Sequence, residues 1–164
     1  MATITANINE ANILLEIRKA ASFEARVARD NGADSLFDTV RITDQDESII
    51  QVFLRSAKQN LVANYPGIAA LATGSIVYTI SSDAALTGID TTVGEETNNY
   101  LINYCCRRWF EMRYPAKTQE YQDRAALNIL NLNGLIYARK APTRPAGDTA
   151  GFIQLGEQEQ QNNP

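Results

Sequence analysis

The chain has 164 residues, 45% of them hydrophobic and 21% charged, with a formal net charge of −4. That length supports one domain with a buried core and needs no disulfide to hold it. No apolar run reaches the ~18 residues of a membrane span, and no basic-then-apolar leader follows Met1, so a protein kept soluble inside a cell is expected.

From Ile8 to Asp30 the sequence predicts an amphipathic helix. Leu14, Ile17, Ala21, Ala25 and Ala28 recur at three- and four-residue steps, Ile13, Ala20 and Val27 widen the stripe, and Asn31-Gly32 supplies a left-handed stop. An alanine-rich face buries little area per residue, so this helix needs a close partner. After a short stretch around Leu36, Phe37 and Val40, a second helix starts at Thr43 or Asp44, with Asp46 and Glu47 placing negative charge in its first turn. Ile50, Phe53, Leu54, Ala57 and Leu61 form its stripe, and Asn64-Tyr65-Pro66-Gly67 ends it, because proline disfavours helix at the residue before it.

Ser75-Ile76-Val77-Tyr78-Thr79-Ile80 is β-branched and aromatic and reads as one strand. One strand cannot satisfy its own backbone groups. Either Gly88 to Val93 returns as a hairpin partner, or the strand pairs with another copy of the protein. A third helix is expected from about Glu95 to Tyr114, with Tyr100, Leu101, Tyr104, Cys105, Trp109 and Met112 on its apolar stripe. A fourth starts near Lys117 or Thr118, carries Tyr121, Ala125, Ile129, Leu132 and Ile136 on one face, and closes with Arg139-Lys140 before Pro142. The short connection makes these two helices antiparallel neighbours.

From Ala141 onward, proline, glycine and a Glu/Gln/Asn-rich end cannot form a core, yet Phe152, Ile153 and Leu155 make an apolar island. This is either a loose tail with a chance cluster or an arm that lies on, or adds a strand to, a neighbouring protein. The expected fold class is mainly α. A bundle of about four helices over residues 1–140 carries a short β-strand or hairpin insertion at about 74–94, and residues 141–164 form an extended C-terminal arm.

No catalytic pattern stands on these elements. The chain has no histidine, which removes Ser-His-Asp, Cys-His and every His-ligated metal site. The only two cysteines, Cys105 and Cys106, are adjacent on a helix and cannot meet disulfide geometry, so they read as small packing residues. There is no Gly-Lys-Ser/Thr phosphate loop and no dinucleotide glycine pattern after a strand. Asp44-Gln45-Asp46-Glu47 lacks the glycine and downstream glutamate of a calcium loop, and Glu95-Glu96 and Glu120-Asp123 read as first-turn acids. Neither an enzyme nor a cofactor is expected.

Charge is uneven: residues 1–58 carry −2, residues 59–106 carry −4 without one Lys or Arg, residues 107–144 carry +5 and residues 145–164 carry −3. The basic stretch suits phosphates or an acidic protein partner. Arg107, Arg108, Arg113, Arg139 and Lys140 nevertheless fall in the last turns of predicted helices, where cations complement the dipole. A pI near 4.9 argues against nucleic-acid binding as the main role.

The run Thr43-Asp44-Gln45-Asp46-Glu47-Ser48-Ile49-Ile50-Gln51-Val52-Phe53-Leu54, continuing through Leu61 to the turn Tyr65-Pro66-Gly67, resembles the helix-opening segment of tailed-phage head–tail connector proteins. Leu101 to Met112, followed by Tyr121 to Arg139, resembles the paired helices of the same family. The likeness covers residues 40–140 as pattern rather than fixed motif. It implies a non-enzymatic virion protein of the neck, present in the host cytoplasm during assembly. Such connectors form homo-oligomeric rings, commonly dodecamers, that dock below the portal protein, meet the tail or a second neck ring, and extend the DNA channel. DNA would pass non-specifically, as the lysine-free acidic middle allows, and no membrane is involved.

Under this resemblance Ile76, Tyr78 and Ile80 on the strand, Arg139, Lys140 and Arg144 at the basic end, and Phe152, Ile153 and Leu155 in the arm are the expected subunit or portal contacts. The alternative is a small cytoplasmic helical interaction module that holds a partner helix with Trp109-Phe110 and Tyr100-Tyr104. The helical spacing of those aromatics favours a core position instead.

Overall fold

Apolar spacing decides which side each long helix buries, and side-chain caps at Asn9 and Thr43 mark two of the starts. The computed structural model describes residues 2–80 and 88–137. A first strand, β1 (Ala2–Asn7), leads into α1 (Glu10–Asp30), whose first turn is capped by Asn9 Oδ1 accepting from the Asn12 backbone N–H at 3.2 Å. Ile13, Ile17, Ala21, Ala25 and Ala28 turn inward as their spacing predicts. The short apolar stretch after Asn31-Gly32 is itself a helix, α2 (Asp34–Val40), with Val40 buried. Thr43 then donates both its backbone N–H (2.9 Å) and its hydroxyl (2.7 Å) to the Asp46 carboxylate, closing a short 3-10 turn, Asp44–Asp46, at the head of α3 (Glu47–Asn64). The Thr43 hydroxyl holds the Asp46 carboxyl below its ordinary value. Helix α3 stops at Tyr65-Pro66-Gly67, where Gly67 takes φ 73°, a left-handed conformation that glycine reaches without steric cost.

The β content departs from expectation. Strands β2 (Ala69–Ala72) and β3 (Ser75–Ile80) form a tight hairpin through Gly74, and β1 pairs with the other side of β3, giving the antiparallel order β1-β3-β2. Ala2 faces Ile80 and Asn7 faces Ser75 along one ladder, while Ala69 faces Tyr78 and Ala72 faces Ser75 along the other. The expected lone strand is therefore the central one. Both of its edges are satisfied inside the chain, and Ile76, Tyr78 and Ile80 are buried rather than offered to a second copy. Nor does Gly88 to Val93 return as a strand: Ile89 onward is helix, so the hairpin insertion spans 69–80 rather than about 74–94, and the strand of residues 2–7 joins it.

Helix α4 (Ile89–Arg113) begins six residues before the expected Glu95 because Val93 and Thr97 are both buried, with Thr97 Oγ1 2.9 Å from the Tyr78 hydroxyl. It is the central post of the bundle, and its contacts sort by helical spacing. Tyr100 and Tyr104 meet α3, through a hydrogen bond from Tyr100 to Asn60 (2.7 Å) and one between Tyr104 and Ser56 (3.2 Å). Trp109 donates its indole N–H to the Val40 carbonyl of α2 at 2.7 Å.

Glu96, Asn103 and Phe110, seven apart, meet α5 (Thr118–Ile136). Asn128 donates to Glu96 (2.7 Å) and accepts from Asn103 (2.8 Å), and Phe110 lies 4.8 Å from the Tyr121 ring. Early α4 thus faces late α5, the antiparallel pair that the short Pro115–Lys117 connection predicts. The architecture is mainly α, with five α-helices among the described residues rather than about four. Helix α5 ends at Ile136, so Arg139, Lys140, Arg144 and the expected arm, with Phe152, Ile153 and Leu155, lie outside the described residues.

Candidate interaction surfaces

Chemically active groups are sequestered. Cys105 and Cys106 are free and buried; burial pushes the Cys105 thiol up to about 12 and, with Cys105 beside it, raises Cys106 as well, so neither presents a thiolate. Among the described residues no group of three or more Cys, Asp and Glu side chains is placed to hold a metal ion, and no helix is long and apolar enough to cross a membrane. Glu24 is only 2% exposed; it meets the Lys117 ammonium at 3.0 Å and accepts from the Tyr121 hydroxyl at 3.4 Å, a tie between α1 and the start of α5. Trp109, Phe110 and Tyr100 are buried too, so three of the four aromatics considered for holding a partner helix belong to the core, and half-buried Tyr104 packs against it.

Three surfaces remain open. The first is the sheet edge of β1. Ile8 donates its N–H to the Gly74 carbonyl (2.8 Å), so the even-numbered backbone groups of β1 point at β3 and those of Thr3, Thr5 and Asn7 point outward. Asn98 covers one of them by donating to the Asn7 carbonyl at 3.2 Å, and no charge, proline or bulge guards the rest. The opposite edge, β2, is likewise uncharged and proline-free, with Leu71 exposed.

The second surface is a groove of about 200 Å³ between α1 and α3. Leu14 and Ile17 form one wall, and Ile50 and Leu54 the other. Ion pairs bridge both ends, Lys58 to Glu10 at one and Arg18 to Asp44 (2.9 Å) and Glu47 (3.4 Å) at the other. The third is the outer side of α5, where Leu127, Leu130 and Tyr137 are 55%, 65% and 55% exposed. Residues 125–137 contain no charged side chain, a signal visible in the sequence but hidden there by the equally apolar inner face. The alternation of Ile4, Ala6 and Ile8 with Thr3, Thr5 and Asn7 would likewise have revealed β1. No protein-family model, curated protein or solved structure matches this chain.

Proposed function

We propose that this chain is a structural subunit of a phage neck, a head–tail connector ring component that docks below the portal protein and extends the DNA channel toward the tail. One observation carries the reading: a single sheet has two different edges, β1 and β2, each open over part of its length, with Asn98 covering the Asn7 carbonyl on one and the Tyr65 carbonyl accepting from the Ala69 N–H (2.9 Å) on the other. Both strands run antiparallel to β3 and hence parallel to each other, so the β1 edge of one copy can extend the β2 edge of the next in the same sense at every step. A contact between two unlike patches is heterologous, and repetition closes it into a ring when the rotation allows. Resemblance adds to this, because α3, its Tyr65-Pro66-Gly67 end and the α4–α5 pair are the segments similar to connector proteins and also the bulk of the helical bundle. The role first given to Ile76, Tyr78 and Ile80 as contacts falls away.

The test is particle size by light scattering and electron microscopy, for the chain alone and with portal assemblies. Ring-sized particles are expected with portal present. Thr5→Pro removes an outward N–H that the β1–β3 ladder does not use, so it leaves a folded subunit that no longer assembles. A chain that stays monomeric at every concentration and ignores portal assemblies refutes the proposal.

A further inference from the structure

We infer that the outer face of α5 is a docking site for the chain's own residues Gly151–Gly156. Helix α5 is apolar on two sides. Tyr121, Ala125, Leu132 and Ile136 are buried toward α4, while Leu127, Leu130 and Tyr137 stand more than half exposed with Gly134 between them. Spacings of three, four and three residues put these four positions on one stripe. The exposed apolar residues of the other long helices are diluted by charge, Phe23 by Lys19 and Arg26 on α1 and Val52 by Arg55 on α3. On α5 nothing charged interrupts residues 125–137, and at Gly134, where a Cβ would meet nothing within 4 Å, no side chain stands between Leu130 and Tyr137.

The occupant follows from where the described chain stops. Tyr137 is both the last described residue and the last member of the stripe, and residues 138–164 follow it. In that stretch the only large apolar side chains are Phe152, Ile153 and Leu155. Residues 138–151 separate them from Tyr137, and a generic chain of that length has a root-mean-square span of about 20 Å. From Leu127 to Tyr137 the stripe is about 15 Å long at the helical rise. A linker whose span matches the distance to be bridged gives the highest effective concentration, on the order of millimolar. Three side chains offer a few hundred Å² at most, well short of the ~800 Å² per partner that holds separate molecules together. A patch this small suits a tethered occupant. The inference stands apart from the ring proposal, since a chain that never assembles would still cover its own helix.

The experiment uses the full chain and a variant carrying Phe152→Ser, Ile153→Ser and Leu155→Ser, which leaves every described residue in place. Hydroxyl-radical labelling of Leu127, Leu130 and Tyr137 is read by mass spectrometry at two protein concentrations. Labelling in the native chain is expected to be about three-fold lower than in the variant, as for side chains covered on their open side, and independent of concentration. Equal labelling in the two proteins overturns the inference. Protection that appears only at the higher concentration also overturns it, because a second copy is then the occupant.

Discussion

Raising the pH should unfold this protein abruptly. Tyr65, Tyr78, Tyr100 and Tyr121 are buried, and burial is the leading cause that raises each of their hydroxyls from an ordinary 10.0, Tyr78 to about 12. The same cause raises both thiols from an ordinary 9.0. All six groups stay protonated in the folded chain but lose protons in the unfolded one, so the unfolded state binds fewer protons and stability falls as pH rises. Each group costs about 1.4 kcal/mol per pH unit above its ordinary value. At about pH 11 the two thiols stand two units above theirs and the four tyrosines one unit above theirs, which together withdraws about 11 kcal/mol. That equals the whole stability of an ordinary domain, about 5–15 kcal/mol, and places the alkaline midpoint near pH 10.5–11 by the same reckoning. Tyrosinate absorbance and helical circular dichroism, followed together up to about pH 12, should show the share of these four among the seven tyrosines appear in one cooperative step with the loss of helix. Four tyrosinates appearing gradually near pH 10, with the helical signal intact, would refute the argument.

Trp109→Phe removes the donor to the Val40 carbonyl (2.7 Å) and leaves that buried acceptor unpaired, so urea denaturation should show a loss of about 2–3 kcal/mol. Lys117→Met strips the ammonium from the buried Glu24 carboxylate (3.0 Å), and the thermal midpoint should fall by the equivalent of about 3 kcal/mol. Adding Glu24→Gln to that variant should recover more than half of the loss. Hydrogen bonds to Glu120 and Glu24 raise the Lys117 ammonium above its ordinary 10.5, so the stability from this tie is fully present at neutral pH and disappears only as pH rises through the raised value. Gly67→Ala meets no neighbour within 4 Å but must hold φ 73°, so calorimetry should register a cost of about 1 kcal/mol. Gly94→Ala, inside α4 with equally open space, should instead stabilise by about 0.5–1 kcal/mol.

Helices α1, α3, α5 and the body of α4 were legible because each carries its own instructions, whereas seven-residue α2 is too short to show a stripe. Thr43 and Asp46 announce a helix start, Tyr65-Pro66-Gly67 an end, and the stripes of α1, α3 and α5 turn inward as their spacing requires. The sheet was not legible, because its pairing is not local. Strand β2 is three alanines and a leucine, a composition with weak strand preference that is held extended by pairing with β3. Strand β1 lies far along the chain from its partner, so β3, whose own sequence is unmistakable, looked solitary. The start of α4 was missed for a related reason. Gly88 to Val93 was open to reading as a returning strand, and helix is the better choice there because it buries Val93 and sets Thr97 against the Tyr78 hydroxyl. Of the candidate surfaces, α5 hides its second apolar face behind the first, and the β1 edge could not be seen before β1 itself.

The ladder between β1 and β3 orders events during synthesis. Asn7 and Ser75 are partners although 68 positions separate them, so a ribosome adding roughly 5–20 residues per second takes roughly 3–14 seconds to deliver the second after the first. Helix α1 can wind within that interval, but Ala2–Asn7 must wait without a hydrogen-bonding mate until the hairpin emerges. A nascent chain stalled before Ile80 would therefore present Ala2–Asn7 as an unpaired strand, open to pairing with a neighbouring nascent chain.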